Sequence, residues 1–108
     1  MKLIGWYSDM SRSIIQTDNI KRCYFTQEYR SRDGRPLEKH HVMNGSLRDW
    51  AEQEGLWIWV DASIHDRLHD DWFGVLVQKR LLKQIAQIAY ERDHTRKEWM
   101  SKVHKNYR

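Results

Sequence analysis

Two neighbouring segments, E-K-H-H-V-M-N-G-S (38–46) and G-L-W-I-W-V-D-A-S-I-H-D-R-L-H (55–69), contain four of the chain's six histidines. The first segment carries His40 and His41 side by side. Adjacent residues of an extended strand direct their side chains to opposite faces. The two imidazoles of this pair are therefore predicted to have different roles.

The second segment carries His65 and His69, four residues apart. Residues at this spacing share one face of a helix, so both imidazoles can bind the same ion. Together with His40 they predict a metal site with three histidine ligands. His41 is predicted to lie beside this site with its side chain directed elsewhere.

Composition sets the broad class of the protein. The chain has 108 residues, 40% of them hydrophobic and 12% aromatic, which is typical of one small globular domain. The net charge of +4 suits a polyanionic partner. A single cysteine, Cys23, excludes a disulfide within the chain and favours the cytoplasm. No apolar run approaches the roughly 20 residues of a membrane span, and we expect no membrane partner.

The order of predicted elements around the histidines is strand, loop, strand, helix. The first strand is predicted over 37–43 and the second over 56–60, where L-W-I-W-V is rich in residues that favour strands. Asp61 is suited to cap a helix that begins near Ala62 and holds the second histidine pair on its first two turns. The sequence therefore predicts a ββα unit over 37–70.

The chain is expected to form one α+β domain, 1–108, whose ββα core carries additional helices. Residues 1–12 are predicted to be an N-terminal extension, a short strand or an arm packed on the body. Between the two strands, Ser46 resembles a helix N-cap and Gly55 a helix stop, with Trp50 as the buried anchor of the short helix.

The C-terminal part, 74–106, is predicted to be helical. A long amphipathic helix should begin after Gly74 and end near Arg92. Its apolar stripe comprises Leu81, Leu82, Ile85, Ile88 and Ala89. The sequence from Thr95 to Glu98 has the pattern of a capping box and predicts one last helix.

The four histidines suit hydrolysis of a phosphodiester. That reaction needs a cation on the phosphate oxygens, a base for water and charge relief at the leaving oxygen. We assign His40, His65 and His69 to a metal, because neutral imidazoles bind transition metals and leave positions open for water and phosphate. We assign His41 as the general base, since an unperturbed histidine has a pKa of roughly 6.5.

Charged residues surround this predicted site. Carboxylates that can orient the imidazoles are Glu38, Asp61, Asp66 and Asp70. The predicted contacts to nucleic acid are Arg35, Lys39, Arg48 and Arg67. Contacts of basic side chains with phosphate set affinity and carry no sequence preference.

The motifs together resemble the HNH (ββα-metal) nuclease superfamily, most closely its small members encoded by phages and prophages. The resemblance extends over most of the chain: S-I-I-Q-T from Ser13, then K-H-H-V, G-L-W-I-W-V, L-L-K-Q-I-A-Q, and T-R-K-E-W-M-S-K-V-H-K-N-Y at the end. It implies that His41 is the base and His40 a metal ligand. The helix histidines correspond to His65 and His69.

The sequence departs from the superfamily pattern at three places. Many members hold a structural zinc with two C-x-x-C knuckles, which here read C-Y-F-T (23–26) and D-A-S-I (61–64), so we expect no structural zinc. The middle asparagine of the motif has no match, and we take Asn44 as its catalytic substitute. In phage relatives the last histidine tends to lie further on, where this chain reads G-V-L (74–76).

The leading interpretation is a metal-dependent endonuclease or nickase acting on double-stranded DNA in the cytoplasm of a phage's bacterial host. The resident ion is one divalent metal, with zinc, nickel, manganese and magnesium as the alternatives. A second interpretation is a catalytically silent module of the same fold that binds nucleic acid or inhibits a host protein. A third is a structural zinc site closed by a fourth protein ligand. Homodimerisation stays open.

Overall fold

The computed structural model describes residues 11–70 and 73–108, with only the backbone described for Phe73. In this part the fold is α+β, with a two-stranded antiparallel sheet and four α-helices. The elements are β1 (Glu38–His41), a 3-10 turn (Gly45–Leu47), α1 (Arg48–Glu54), β2 (Trp57–Val60), α2 (Ala62–Arg67), α3 (Phe73–Tyr90) and α4 (Arg96–Val103). No helix in the described ranges is long and apolar enough to cross a membrane. Most of the predicted N-terminal extension, residues 1–10, lies outside these ranges.

The sheet pairs β1 with β2 in a register that sets His40 opposite Ile58 and His41 opposite Trp57. Both strands are shorter than predicted. The chain bends at Val42, although the Val42 N–H still donates to the carbonyl of Leu56 at 3.0 Å. The alternation along β1 therefore holds through the histidine pair and sends its two side chains to opposite faces.

Two predicted helix starts are confirmed. The Asp61 carboxylate accepts hydrogen bonds from the N–H groups of Ser63 and Ile64 and so caps α2. Thr95 and Glu98 form both hydrogen bonds of a capping box at the start of α4. These side chains satisfy N–H groups that would otherwise have no partner at a helix start.

The short helix α1 begins differently from its prediction. The Ser46 N-cap was wrong, because the chain enters α1 through the 3-10 turn and Leu47, the residue before the helix, makes no side-chain cap. The predicted end is confirmed. Gly55 closes α1 in the left-handed conformation, with φ of 75°.

The core lies between the sheet and the helices α3 and α4. Trp99 is fully buried, and its indole N–H donates to the carbonyl of Lys105 at 2.8 Å. Trp50, the predicted anchor, is half-buried and contacts the rings of Tyr90 and Trp99, with centroids 5.4 and 6.0 Å away. An aromatic cluster therefore joins α1 to both C-terminal helices.

The apolar stripe of α3 differs in part from its prediction. Leu82 and Ala89 are buried as expected, but the side chains of Leu81 and Ile88 are 51% and 45% exposed. The buried face is centred on Leu82, Ala86 and Tyr90, which recur at four-residue spacing. The helix ends at Tyr90, two residues before the predicted Arg92.

Gly55→Ala is expected to lower the free energy of unfolding by more than the about 1–2 kcal/mol that a left-handed alanine costs. An added methyl group at Gly55 would clash with the backbone carbonyl of Arg12. Gly45 is the matched control, since it has φ of 62° and no heavy atom within 4 Å of the added methyl. Urea unfolding of both variants measures the difference, and equal losses would contradict the close contact.

Candidate functional site

Three histidine rings lie in a row on one side of the sheet. The ring of His65 lies 5.2 Å from that of His40 and 5.2 Å from that of His69, between centroids. His40 is supplied by β1 and His65 by α2. The prediction that His69 belongs to the helix was wrong, because α2 ends at Arg67 and His69 lies in the turn that follows. Its backbone N–H still donates to the Asp66 carbonyl, which keeps the ring next to His65.

A carboxylate fixes the central ring of this row. Glu38 lies two residues before His40 and therefore on the same face of β1. Its Oε1 is 2.8 Å from Nδ1 of His65. A carboxylate at Nδ1 selects the tautomer that leaves Nε2 with its lone pair, as it does for many metal-binding histidines. The orienting role predicted for Glu38 thus has a geometric basis.

His40 is kept neutral by its surroundings. The residue is 8% exposed. Burial, together with the neighbouring His65 and His69, lowers the pKa of His40 to about 4. Its imidazole therefore carries no proton on one nitrogen at neutral pH, which is the form that binds a metal.

The three imidazoles fit a transition metal by the chemistry of their donor atoms. Their rings meet at interplanar angles of 76° and 48°. In residues 11–70 and 73–108, no group of three or more His, Cys, Asp or Glu side chains is positioned to hold a metal ion. Binding of a metal here therefore requires rotation of the side chains.

His41 occupies the opposite face of β1 and pairs with a carboxylate of its own. Its Nε2 lies 2.6 Å from Oε1 of Glu52, which projects from α1. Burial lowers the pKa of His41, and the hydrogen bond with Glu52 opposes this only in part. His41 is therefore neutral at physiological pH, with Nε2–H directed to the carboxylate and the lone pair on Nδ1.

Sequence analysis did not identify Glu52. The residue also accepts from Lys39 Nζ at 3.1 Å and from the Ser11 hydroxyl. Burial would raise the pKa of Glu52, but its hydrogen bonds from Ser11, His41 and Lys39 outweigh burial and lower it. Glu52 stays ionised and can orient His41. Its spacing of eleven residues from His41 matches no local pattern, so only the folded chain brings the pair together.

Asn44 lies on the side of His40. It is exposed and precedes the 3-10 turn without making a side-chain cap. Together with His40 and His69 it lines one cavity. The structure therefore brings Asn44 near the histidine row, while His41 is directed to the other face.

The four basic residues predicted to contact nucleic acid differ in their neighbours, and most of them lie near carboxylates. Arg35 contacts the carboxylates of Asp33 and Asp66 at 2.8 and 2.9 Å. Lys39 pairs with Glu52, and its Nζ lies 4.1 Å from the centroid of the Trp57 ring. Arg48 is 3.9 Å from Asp49, and Arg67 lines a separate cavity near α3. Three of the four residues are thus near a carboxylate.

The two segments predicted to correspond to zinc knuckles, 23–26 and 61–64, lie against each other. The Cys23 sulfur accepts hydrogen bonds from the N–H groups of Thr26 at 3.4 Å and Asp61 at 3.3 Å. Asp61 is fully buried, and its carboxylate also accepts from the Arg32 N–H at 2.8 Å. The hydrogen bond from the Asp61 N–H to the Cys23 sulfur therefore holds 23–26 to 61–64.

The carboxylate of Asp61 is held in its charged form. Burial alone would raise the pKa of Asp61, but hydrogen bonds from Ser63, Arg32 and Ile64 outweigh it and keep the pKa below its ordinary value of 3.8. Because the pKa of Asp61 is lower in the folded state than in the unfolded state, the ionised carboxylate stabilises the fold. This stabilisation is fully present above the unfolded-state pKa and is lost as pH falls through the folded-state pKa.

Asp61→Asn is therefore expected to be less stable than wild type at pH 7, with the two proteins converging as pH falls from about 5 to 2. Urea unfolding at several pH values gives both free energies of unfolding. Asparagine is nearly isosteric but carries no charge and has one acceptor oxygen fewer, so the pH dependence of the difference, and not its size at pH 7, reports the ionised carboxylate. A difference that stays constant over the whole range would show that ionisation of Asp61 has no part in stability.

No family model, curated protein sequence or solved structure matches this chain.

Proposed function

We propose that the protein is a metal-dependent endonuclease of the HNH type, in which β1, β2 and α2 form the ββα-metal core. The observation that carries the proposal is the histidine row: rings from β1, from α2 and from the next turn lie in contact, with Glu38 bonded to the central one. Such carboxylate–histidine pairing is typical of metal sites.

In this proposal His40, His65 and His69 hold one divalent metal. The metal supplies positive charge to the phosphate oxygens and to the leaving oxygen when it is bound. Because His40 is neutral, it needs no deprotonation before it binds the ion, and Glu38 on Nδ1 of His65 leaves Nε2 of that ring for the ion. His69, which lies in a turn, is the most exposed of the three.

His41 is proposed as the general base. Its lone pair on Nδ1 can accept a proton from water, and the ionised Glu52 stabilises the imidazolium that results. This arrangement of a base oriented by a carboxylate is common to many hydrolytic sites. Because His41 lies on the face of β1 opposite the histidine row, this role requires the substrate to reach both faces of the strand. Water activated by His41 would then attack the phosphorus, the bond to the leaving oxygen would break, and that oxygen would take up the proton that His41 removed from water.

The contacts between 23–26 and 61–64 also support the proposal. The resemblance to HNH proteins expects two C-x-x-C knuckles at these segments, facing each other. Here the Cys23 sulfur accepts the Asp61 N–H across the same junction, and the buried Asp61 carboxylate accepts the nearby Arg32 N–H. These hydrogen bonds can replace the crosslink that a structural zinc provides in HNH proteins.

The experiment that tests this function is nicking of supercoiled plasmid by purified protein. Zinc, nickel, manganese and magnesium are supplied separately, and EDTA is the blank. We expect conversion to open circles with at least one metal and none with EDTA. No conversion with any of these metals, at a protein concentration that binds the plasmid, would overturn the enzymatic assignment.

A second function is favoured by one observation. Among the described residues, no group of three or more His, Cys, Asp or Glu side chains is positioned to hold a metal ion. A silent nuclease-fold module that only binds nucleic acid would have this property. Plasmid that is retarded in a gel but never nicked, with no metal-dependent change in protein melting temperature, would support the module over the enzyme.

A further inference from the structure

A cavity of about 340 Å³ opens beside the histidine row. It lies between the end of β1, the turn after α2, the helix α3 and the C-terminal tail. The described residues that line it are His40, Val42, Asn44, Leu68, His69, Leu76, Lys79, Arg80, Leu82, Lys83, Lys105 and Tyr107. Its lining thus combines two histidines of the row with four basic side chains.

We propose that this cavity binds a backbone phosphate of the nucleic acid strand that is cleaved at the histidine row. The proposal rests on the proposed function and names the surface that receives the substrate. Sequence analysis assigned this role to other residues, Arg35, Lys39, Arg48 and Arg67.

The charge of the cavity supports an anionic ligand. Its described lining includes Lys79, Arg80, Lys83 and Lys105 and no aspartate or glutamate. None of the four takes part in an ion pair among the residues that the structure describes, whereas Arg35 and Lys39 do. Four cations around one concavity, none of them paired with a described carboxylate, form a region of positive potential that attracts phosphate.

Mutual repulsion among these cations also favours an anionic ligand. Burial, and then the nearby charges of Lys79 and Lys105, lower the pKa of Lys83. The folded protein therefore tolerates like charges at a cost that a bound anion would relieve.

The C-terminal tail is anchored so that it forms one wall of the cavity. The Tyr107 N–H donates to Oε1 of Gln87 at 2.7 Å, and Gln87 is fully buried on α3. Arg108 pairs at 2.6 Å with Glu91, the residue that directly follows α3. These contacts hold the Tyr107 ring 5.2 Å from Lys105 Nζ and 5.8 Å from Lys83 Nζ. The docked tail thus places Lys105 near Lys83 of α3, with the Tyr107 ring close to both.

The position of the cavity links it to the proposed chemistry. His40 and His69 belong both to the histidine row and to the cavity lining. A strand that presents one phosphodiester to the row therefore passes the four cations with a neighbouring phosphate. Binding of this kind positions the strand and carries no base preference.

The test measures binding of a fluorescently labelled DNA duplex in EDTA, so that no cleavage can occur. We expect Lys79→Gln/Lys83→Gln to weaken binding about tenfold at physiological salt and to reduce the salt slope by about 2. Lys79→Arg/Lys83→Arg keeps the charge and should bind nearly as wild type does. The matched control is Lys97→Gln/Lys102→Gln, which removes the same charge from exposed positions on α4 and should change binding less than about twofold.

Equal weakening by the cavity and control variants would overturn the proposal, because general charge would then explain binding. Inorganic phosphate provides the second arm. If phosphate raises the melting temperature of wild type but not of Lys79→Gln/Lys83→Gln, while duplex binding is the same for both proteins, the cavity is a site for free phosphate and the proposal fails.

The two proposals fail separately. If the cavity variant loses duplex binding and wild type does not nick, the cavity binds nucleic acid and the endonuclease proposal is wrong. If wild type nicks and the cavity variant binds the duplex as wild type does, the endonuclease proposal is supported and the cavity proposal is wrong. Melting curves of each variant show that the fold is intact before binding is compared.

Discussion

His41→Ala is expected to lower the rate of plasmid nicking by about 10²–10⁴-fold, the usual contribution of a general base. The expectation follows from the neutral state of His41 and from its 2.6 Å contact with Glu52. Alanine removes the proton acceptor and leaves His40, on the other face of β1, in place. The initial rate of open-circle formation under saturating metal is the quantity to measure.

Two controls accompany this variant. His41→Ala should keep the metal-dependent change in melting temperature, because His41 is not among the proposed ligands. His104→Asn replaces an exposed histidine whose φ of 64° asparagine also tolerates, and it should nick at the wild-type rate. If His41→Ala nicks as fast as wild type, His41 is not the base.

His65→Ala is expected to abolish both nicking and the stabilisation that metal confers. His65 is the central ring of the row, 5.2 Å from each neighbour, and Glu38 orients it. A metal at about 100 times its dissociation constant stabilises the folded state by about 2.7 kcal/mol, and this gain should disappear. Melting temperatures with and without metal give the result.

The two variants are thus expected to differ in metal binding. The His65 variant should lose metal binding and activity together, whereas the His41 variant should lose activity alone. If the melting temperature of His65→Ala still rises with metal as much as that of wild type, the ion binds elsewhere and the histidine row is not its site.

Local patterns in the sequence predicted the elements that depend on neighbouring residues. Asp61 and Thr95 cap helices because a side chain needs only to reach an N–H two or three residues ahead. Gly55 ends α1 because a left-handed residue suits glycine. The alternation along β1 separated His40 from His41 for the same local reason.

Local patterns were less informative where distant segments meet. No glycine or proline follows α2 in the stretch L-H-D-D, so nothing in the sequence marked its end at Arg67. Leu81 and Ile88 have the same spacing as buried residues, but the core contacts the side of α3 centred on Leu82 and Ala86. Packing against other elements decides which part of an apolar stripe is buried.

In the candidate site, too, local sequence patterns predicted some features and tertiary contacts determine the others. The row of His40, His65 and His69 follows from strand order and helix spacing, with the end of α2 misplaced. The Glu52 partner of His41 and the basic cavity follow from tertiary contacts between residues far apart in sequence. Lys79 and Lys83 are neighbours on one helix, but their convergence with Lys105 depends on the docked tail.

The central claim is that the histidine row binds one metal whose remaining positions are open to water and phosphate. Anomalous diffraction from crystals soaked in zinc or manganese tests it most directly. The account predicts a single peak within about 2.0–2.2 Å of nitrogens from His40 and His65, with His69 completing three protein ligands. A fourth protein ligand that closes the site, or a peak away from these residues, would contradict it.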